Sequence, residues 1–204
     1  IFSAGITQIN ILVGTIIASF QTGAVSYLYY ADRIYQINLA IAGIAVGTVV
    51  LPNLSKKIKE NNKNSINILQ NKSLELSLAL SLPAAFGLFI ASKEIVSSLF
   101  GYGSFTQDDV RNTSLALMYF ALGVPAFALI KVLSSFYFAR DNTKTPFYIS
   151  FFSMVTNVFI SLVFFKEYGF IIIPIATTIS SWLSVLIYFI FFNRNKIIIF
   201  ENKI

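Results

Sequence analysis

YLYYADRIYQINLAIAGIAVGTVVLP, residues 27–52, decides how this chain is read. Beyond Asp32 and Arg33 no charge interrupts the run up to Pro52, and roughly 20 apolar residues are enough for a helix to cross a hydrocarbon core. Arg33 lies six residues past Tyr27, so about 9 Å of helical rise into the span. A charge at that depth is costly. It either reaches back to the headgroups or faces a wet cavity with a task to perform. Tyr27, Tyr29 and Tyr30 form an aromatic belt of the kind that sits at an interface, so both readings of Arg33 stand at this point.

The rest of the chain is of the same kind. Of 204 residues, 56% are hydrophobic and only 12% charged, about half the charge of an ordinary soluble domain. Mean hydropathy is +0.73. Cysteine and histidine are both absent. Disulfides, thiolate or imidazole metal sites and triads built on His or Cys are therefore excluded. No catalytic constellation, cofactor motif or metal-ligand cluster stands out, so we expect no enzyme. The net charge of +6 reads as a topology signal and not as a nucleic-acid footprint. The chain opens on Ile1 inside an apolar run, without an initiator Met or a signal-peptide pattern. This leads us to expect a piece of a longer membrane protein.

Apolar runs give six candidate spans, at about 1–20, 27–51, 74–92, 113–139, 147–165 and 170–192. The runs lack alternation and are longer than barrel strands, and backbone groups in lipid must pair internally, so all six are expected to be helical. Basic residues assign the sides. Lys56, Lys57, Lys59, Lys63 and Lys72 follow span two, Arg140 and Lys144 follow span four, and Arg194, Lys196 and Lys203 lie in a basic tail over 194–204. The opposite side carries Lys93, Arg111 and Lys166 together with Asp108 and Asp109. The positive-inside rule then predicts both ends in the cytoplasm.

Punctuation within the spans adds detail. Pro83 and Pro125 fall mid-span and are expected to kink their helices, whereas Pro52 and Pro146 mark boundaries and Pro174 opens span six. Gly43 and Gly47 make a small-xxx-small face suited to close helix contact. Residues 53–73 read as the one long loop, a solvated linker or, through Ile58, Ile66 and Leu69, a segment lying on the membrane surface. Thr106 to Asp109 fits a capping box at the start of span four.

Arg33 is the leading candidate for chemistry, because a guanidinium suits phosphate or pyrophosphate through paired hydrogen bonds. Asp32 would orient or neutralise it. Lys131 reads as a lysine extending to the headgroups. Asn157, Ser161 and Thr177 suit interhelical hydrogen bonding between spans five and six. No carboxylate occupies the middle of a span, so a proton relay has no candidate.

Three runs, ASFQTGAVSYLYYADRIYQINLAIAGIAVGTVVLPNLSK at 18–56, SLFGYGSFT at 98–106 and KVLSSFYFARDNTKTP at 131–146, together resemble the MurJ/MviN-type lipid II flippases of the MOP transporter superfamily. The resemblance covers residues 1 to about 193. It implies an all-α integral membrane fold, six transmembrane helices forming one lobe of a MATE-like transporter, here the second of two lobes that enclose a cationic cavity. In that family the arginine of the YADR motif faces the cavity, which carries over to Arg33. Ser26 and Asp32 match neighbouring functional positions. The implied partners are a lipid-linked pyrophosphate precursor, membrane lipids and an N-terminal lobe. The implied place is the bacterial inner membrane, and the implied action is alternating access. Gly14 and Ser161 stand where many members carry acidic or amide residues, and Ser135 replaces a usual proline. Runner-up readings are an exporter of another polyprenyl-linked oligosaccharide, a multidrug antiporter, or a non-transporting membrane scaffold.

Overall fold

The computed structural model describes residues 2–194, with side chains from Gly5 onward. Lys196 and Lys203 of the expected basic tail lie outside the described residues. Every regular element among the described residues is helical. The helices are α1 (Phe2–Ala18), α2 (Ala24–Leu39), α3 (Val46–Lys59), α4 (Lys63–Ile90), α5 (Ser92–Phe100), α6 (Gln107–Ala121), α7 (Val124–Phe138), α8 (Lys144–Tyr168) and α9 (Ile172–Arg194).

The opening stretch forms one apolar helix. A π-helical turn over Ala40–Ala45 joins α2 to α3 without a break, giving 36 continuous residues from Ala24 to Lys59. That is roughly 54 Å of helix against about 30 Å of hydrocarbon, so its lysine-bearing end projects into water. The glycines of this segment sit where α7 crosses. A Cβ on Gly43 would come within 3.0 Å of the Ala128 Cα, and one on Gly47 within 3.5 Å of the Lys131 carbonyl oxygen. The small-residue face therefore acts inside the bundle.

Two expectations fail at the lysine-rich end. The helix runs through Pro52 to Lys59, and residues 53–73 are not a loop. The Asn53 side-chain amide donates to the Val49 carbonyl at 2.9 Å, next to the ladder bond that the proline cannot make. The chain then reverses over three residues. Asn61 takes the left-handed conformation (φ 52°), which asparagine tolerates, and the Asn62 side chain accepts from the Ser65 amide to start α4. Ile58, Ile66 and Leu69 pack on the core shared by α3, α4, α7 and α9. Their apolar side was legible, but it faces the bundle and not the lipid surface.

Of the two mid-span prolines, only Pro125 accompanies a break. α6 and α7 meet at 45°, and the backbone groups exposed there are taken up by α9. Trp182 Nε1 donates to the Leu122 carbonyl at 3.0 Å, and Thr178 Oγ1 donates to that of Tyr119 at 2.9 Å. Pro83 lies within an unbroken α4. The capping box at Thr106 is formed: its hydroxyl accepts from the Asp109 amide at 3.2 Å, and its own amide donates to Asp109 Oδ2 at 2.8 Å. The short helix α5, between α4 and that box, was not foreseen.

Helices α8 and α9 form an antiparallel hairpin turned at Gly169 (φ 60°). Gln21 Oε1 accepts from the Phe170 amide at 2.8 Å and ties this turn to the α1–α2 turn. The bundle buries small polar residues and exposes large apolar ones. Ser77, Ser81, Ser180, Ser181 and Ser184 are inside, while Phe86, Ile90, Phe159 and Leu186 are more than half exposed. Water would select the reverse. Lipid selects this arrangement, because close helix packing and internal hydrogen bonds hold such bundles together.

Candidate functional site

The α-helical register separates two residues that the sequence places side by side. Ser26, Tyr29 and Arg33 stand at i, i+3 and i+7 on α2, one stripe of the helix, and all three are exposed. Asp32 lies about 100° around the helix, half-buried, on the side where α2 faces α1 and α9.

On the open stripe, the Arg33 guanidinium folds back over its own helix. Its carbon lies 4.8 Å from the centre of the Tyr29 ring, and Nη2 donates to the Tyr29 hydroxyl at 3.2 Å. A guanidinium stacked on an aromatic face keeps its charge and its outer N–H groups while losing much of its rotational freedom. Nearer the start of the helix, Ser26 opens onto a second hollow shared with Tyr30, Phe100, Tyr102 and Asp109. The sequence reading treated Tyr29 only as a member of the belt. Its i, i+4 spacing to Arg33 was the signal that could have identified it as the arginine's holder.

On the inner side, Asp32 Oδ2 accepts from Gln36 Nε2. No hydrogen bond or ion pair joins Asp32 to Arg33, so the expectation that the carboxylate holds the guanidinium directly is not met. Asp32 instead lines a cleft of about 260 Å3, together with Asn10, Thr15, Asn157 and Thr177, and Tyr29 of the open stripe reaches its lining too. The α8–α9 seam at its floor is bonded as expected. Asn157 Nδ2 donates to Thr177 Oγ1 at 2.9 Å, and Ser161 Oγ donates to Asn157 Oδ1 at 3.2 Å. Gly14, also in the lining, leaves α1 without a polar group at that point.

Lys131 is exposed on α7, with its stem against the π-turn: a Cβ on Gly43 would lie 3.4 Å from Lys131 Cγ. A π-helical turn inside an α-helix often marks a functional position. Here it sets the close crossing from which the lysine emerges. No cluster of metal-ligating side chains occurs among the described residues.

The family model described as "Lipid II flippase MurJ" matches residues 1–204. A probable lipid II flippase MurJ of Rickettsia prowazekii (strain Madrid E) is 41% identical over 180 residues, covering 88% of this chain and 36% of that protein. The corresponding protein of Rhizobium meliloti (strain 1021) is 42% identical over 187 residues, covering 92% of this chain and 35% of that protein. This chain thus spans about a third of the length of those relatives. Among solved structures, lipid II flippase MurJ in an inward closed conformation superposes with a TM-score of 0.84 at 32% identity, over 94% of this chain and 41% of that one. An outward-facing multidrug resistance MATE family transporter of the MOP superfamily reaches a TM-score of 0.82 at 17% identity, covering 97% of this chain and 44% of that one. At that identity the likeness speaks for the fold alone.

Proposed function

This chain belongs to the MurJ lipid II flippase family, and on that premise we propose that it forms one lobe of a transporter moving a lipid-linked pyrophosphate precursor of the cell wall across the bacterial inner membrane. The lobe would pair with an N-terminal lobe around a cavity open first to one side and then to the other. Such rocking transports only a substrate that interacts differently with the two states.

The observation that carries this reading is the state of Arg33. It sits on the open stripe of α2, held by an aromatic ring and a hydroxyl and not neutralised by contact with a carboxylate. A permanently charged fork in that condition fits a pyrophosphate, whose oxygens accept paired N–H bonds. Ser26, on the same stripe, would add a hydroxyl near the headgroup. Asp32 would act from about 100° around the helix, by fixing α2 along the cleft that Tyr29 also lines. The lysines at the α3–α4 turn, with Arg140, Lys144 and Arg194, support a cytoplasmic position for that end under the positive-inside rule.

The test is growth of a strain that depends on the full-length protein carrying Arg33→Lys or Arg33→Ala. Membrane levels of the variants are measured in parallel. A pyrophosphate contact predicts that both variants fail at normal protein levels, since an ammonium cannot replace the fork. Normal growth on Arg33→Lys would show a plain interface anchor and end this reading.

A further inference from the structure

We infer that the cleft between the start of α5 and the first turns of α6 binds a phosphate-bearing anion, either the phosphodiester headgroup of an anionic membrane lipid or free phosphate. The cleft uses no residue of α2 and so stands apart from the flippase reading.

It measures about 510 Å3 and lies at the end of the bundle opposite the α3–α4 turn. Lys93 from α5 and Arg111 from α6, both exposed, line it. The start of α5 adds to the field. α5 has no side-chain cap, and its first backbone hydrogen bond is from Ile95 to the Ala91 carbonyl. The amides of Ser92 and Lys93 therefore remain open donors at the cleft wall. The start of α6, by contrast, is closed by its own capping box. Asp108 also lines the cleft and opposes an anion, so the two cations outnumber one carboxylate there.

The deeper lining separates a lipid from a bare ion. Leu115 and Met118 lie four and seven residues beyond Arg111 on α6, so roughly 6 and 10 Å further into the membrane. The slope runs from cationic rim to apolar floor. That suits a headgroup with chains beneath it, whereas free phosphate would use the rim only.

The experiment uses the full-length protein in detergent, with native mass spectrometry reading retained phosphatidylglycerol against phosphatidylcholine. Lys93→Gln with Arg111→Gln should lower phosphatidylglycerol retention by roughly five-fold per cation removed. Lys166→Gln, an exposed base at the same end but outside the cleft, should leave it unchanged. Asp108→Asn should raise retention. In a second arm, millimolar inorganic phosphate is added. Retention that survives it assigns the site to lipid. Displacement, with a phosphate-dependent rise in melting temperature that the double variant lacks, assigns it to the free ion. Equal retention in the double variant, Lys166→Gln and the unaltered protein, or no preference over phosphatidylcholine, overturns the proposal.

Discussion

Replacing Tyr29 tests whether the guanidinium of Arg33 must be held as well as present. Two contacts join them, the ring at 4.8 Å and the hydroxyl at 3.2 Å. An exposed cation–π contact is worth about 0.5–1 kcal/mol, and a hydrogen bond with a charged partner adds about 1.5 kcal/mol at the lower end of its range. Tyr29→Phe keeps the ring and loses the hydroxyl, so it should reduce transport by roughly ten-fold. Tyr29→Leu loses both and should reduce it by roughly 30-fold or more. Neither should match the complete failure expected of Arg33→Ala, because the charge remains on the same stripe. The assay is the amount of precursor reaching the outer leaflet, scored by enzymatic accessibility in cells that express each variant at equal membrane levels. Tyr29→Leu with unaltered transport would show that the stack is incidental. A Tyr29→Phe variant as damaged as Tyr29→Leu would assign the whole effect to the hydroxyl.

Other predictions concern the frame that positions this stripe. Gly43→Ala places a Cβ 3.0 Å from the Ala128 backbone and should destabilise the bundle by about 1–3 kcal/mol, read as a lowered melting temperature. Gly47→Ala, with 3.5 Å to its nearest neighbour, should be close to neutral. Trp182→Phe removes the donor to the Leu122 carbonyl at the α6–α7 bend and should cost about 1 kcal/mol, with faster hydrogen exchange around residues 119–123. For sidedness, a cysteine at Lys59 should be shielded from a membrane-impermeant thiol reagent in intact cells, and one at Ser104 should react. The opposite pattern would reverse the orientation.

Much of the architecture was legible because lipid imposes simple rules. Blocks of apolar residues had to be helices, and both Pro125 and the Thr106 capping box punctuate the chain as their chemistry requires. The failures share one cause, which is tertiary packing overriding local polarity. Residues 53–73 are rich in Lys and Asn and look like a linker. Yet Leu54, Ile58, Ile66 and Leu69 recur at helical spacing and bury against α7 and α9, and that burial extends both helices beyond the membrane. Pro52 looks like a stop, but a helix with its other groups satisfied tolerates one missing bond. The π-turn at Ala40–Ala45 left no trace beyond its small residues, which lie where α7 crosses closely.

The candidate site was half legible for a related reason. Composition identified Arg33 as the charge to explain, and adjacency suggested Asp32 as its partner. Adjacency on a helix means 100° of separation, so neighbours in sequence face different surroundings. The pairs that do meet are spaced by three or four: Tyr29 with Arg33, and Asp32 with Tyr35 and Gln36. One turn of α2 thus carries an exposed cation and a carboxylate along the cleft that α1, α8 and α9 also line, with Tyr29 at the boundary between them. The burial of Ala31 and Ile34 fixes which way α2 faces, and with it the directions in which Asp32 and Arg33 leave the helix. Helical periodicity therefore sets the guanidinium apart from its nearest carboxylate, and among the described residues Arg33 is held by a ring and a hydroxyl and by no ion pair, so under the proposed function its outer N–H groups stay open to a substrate phosphate.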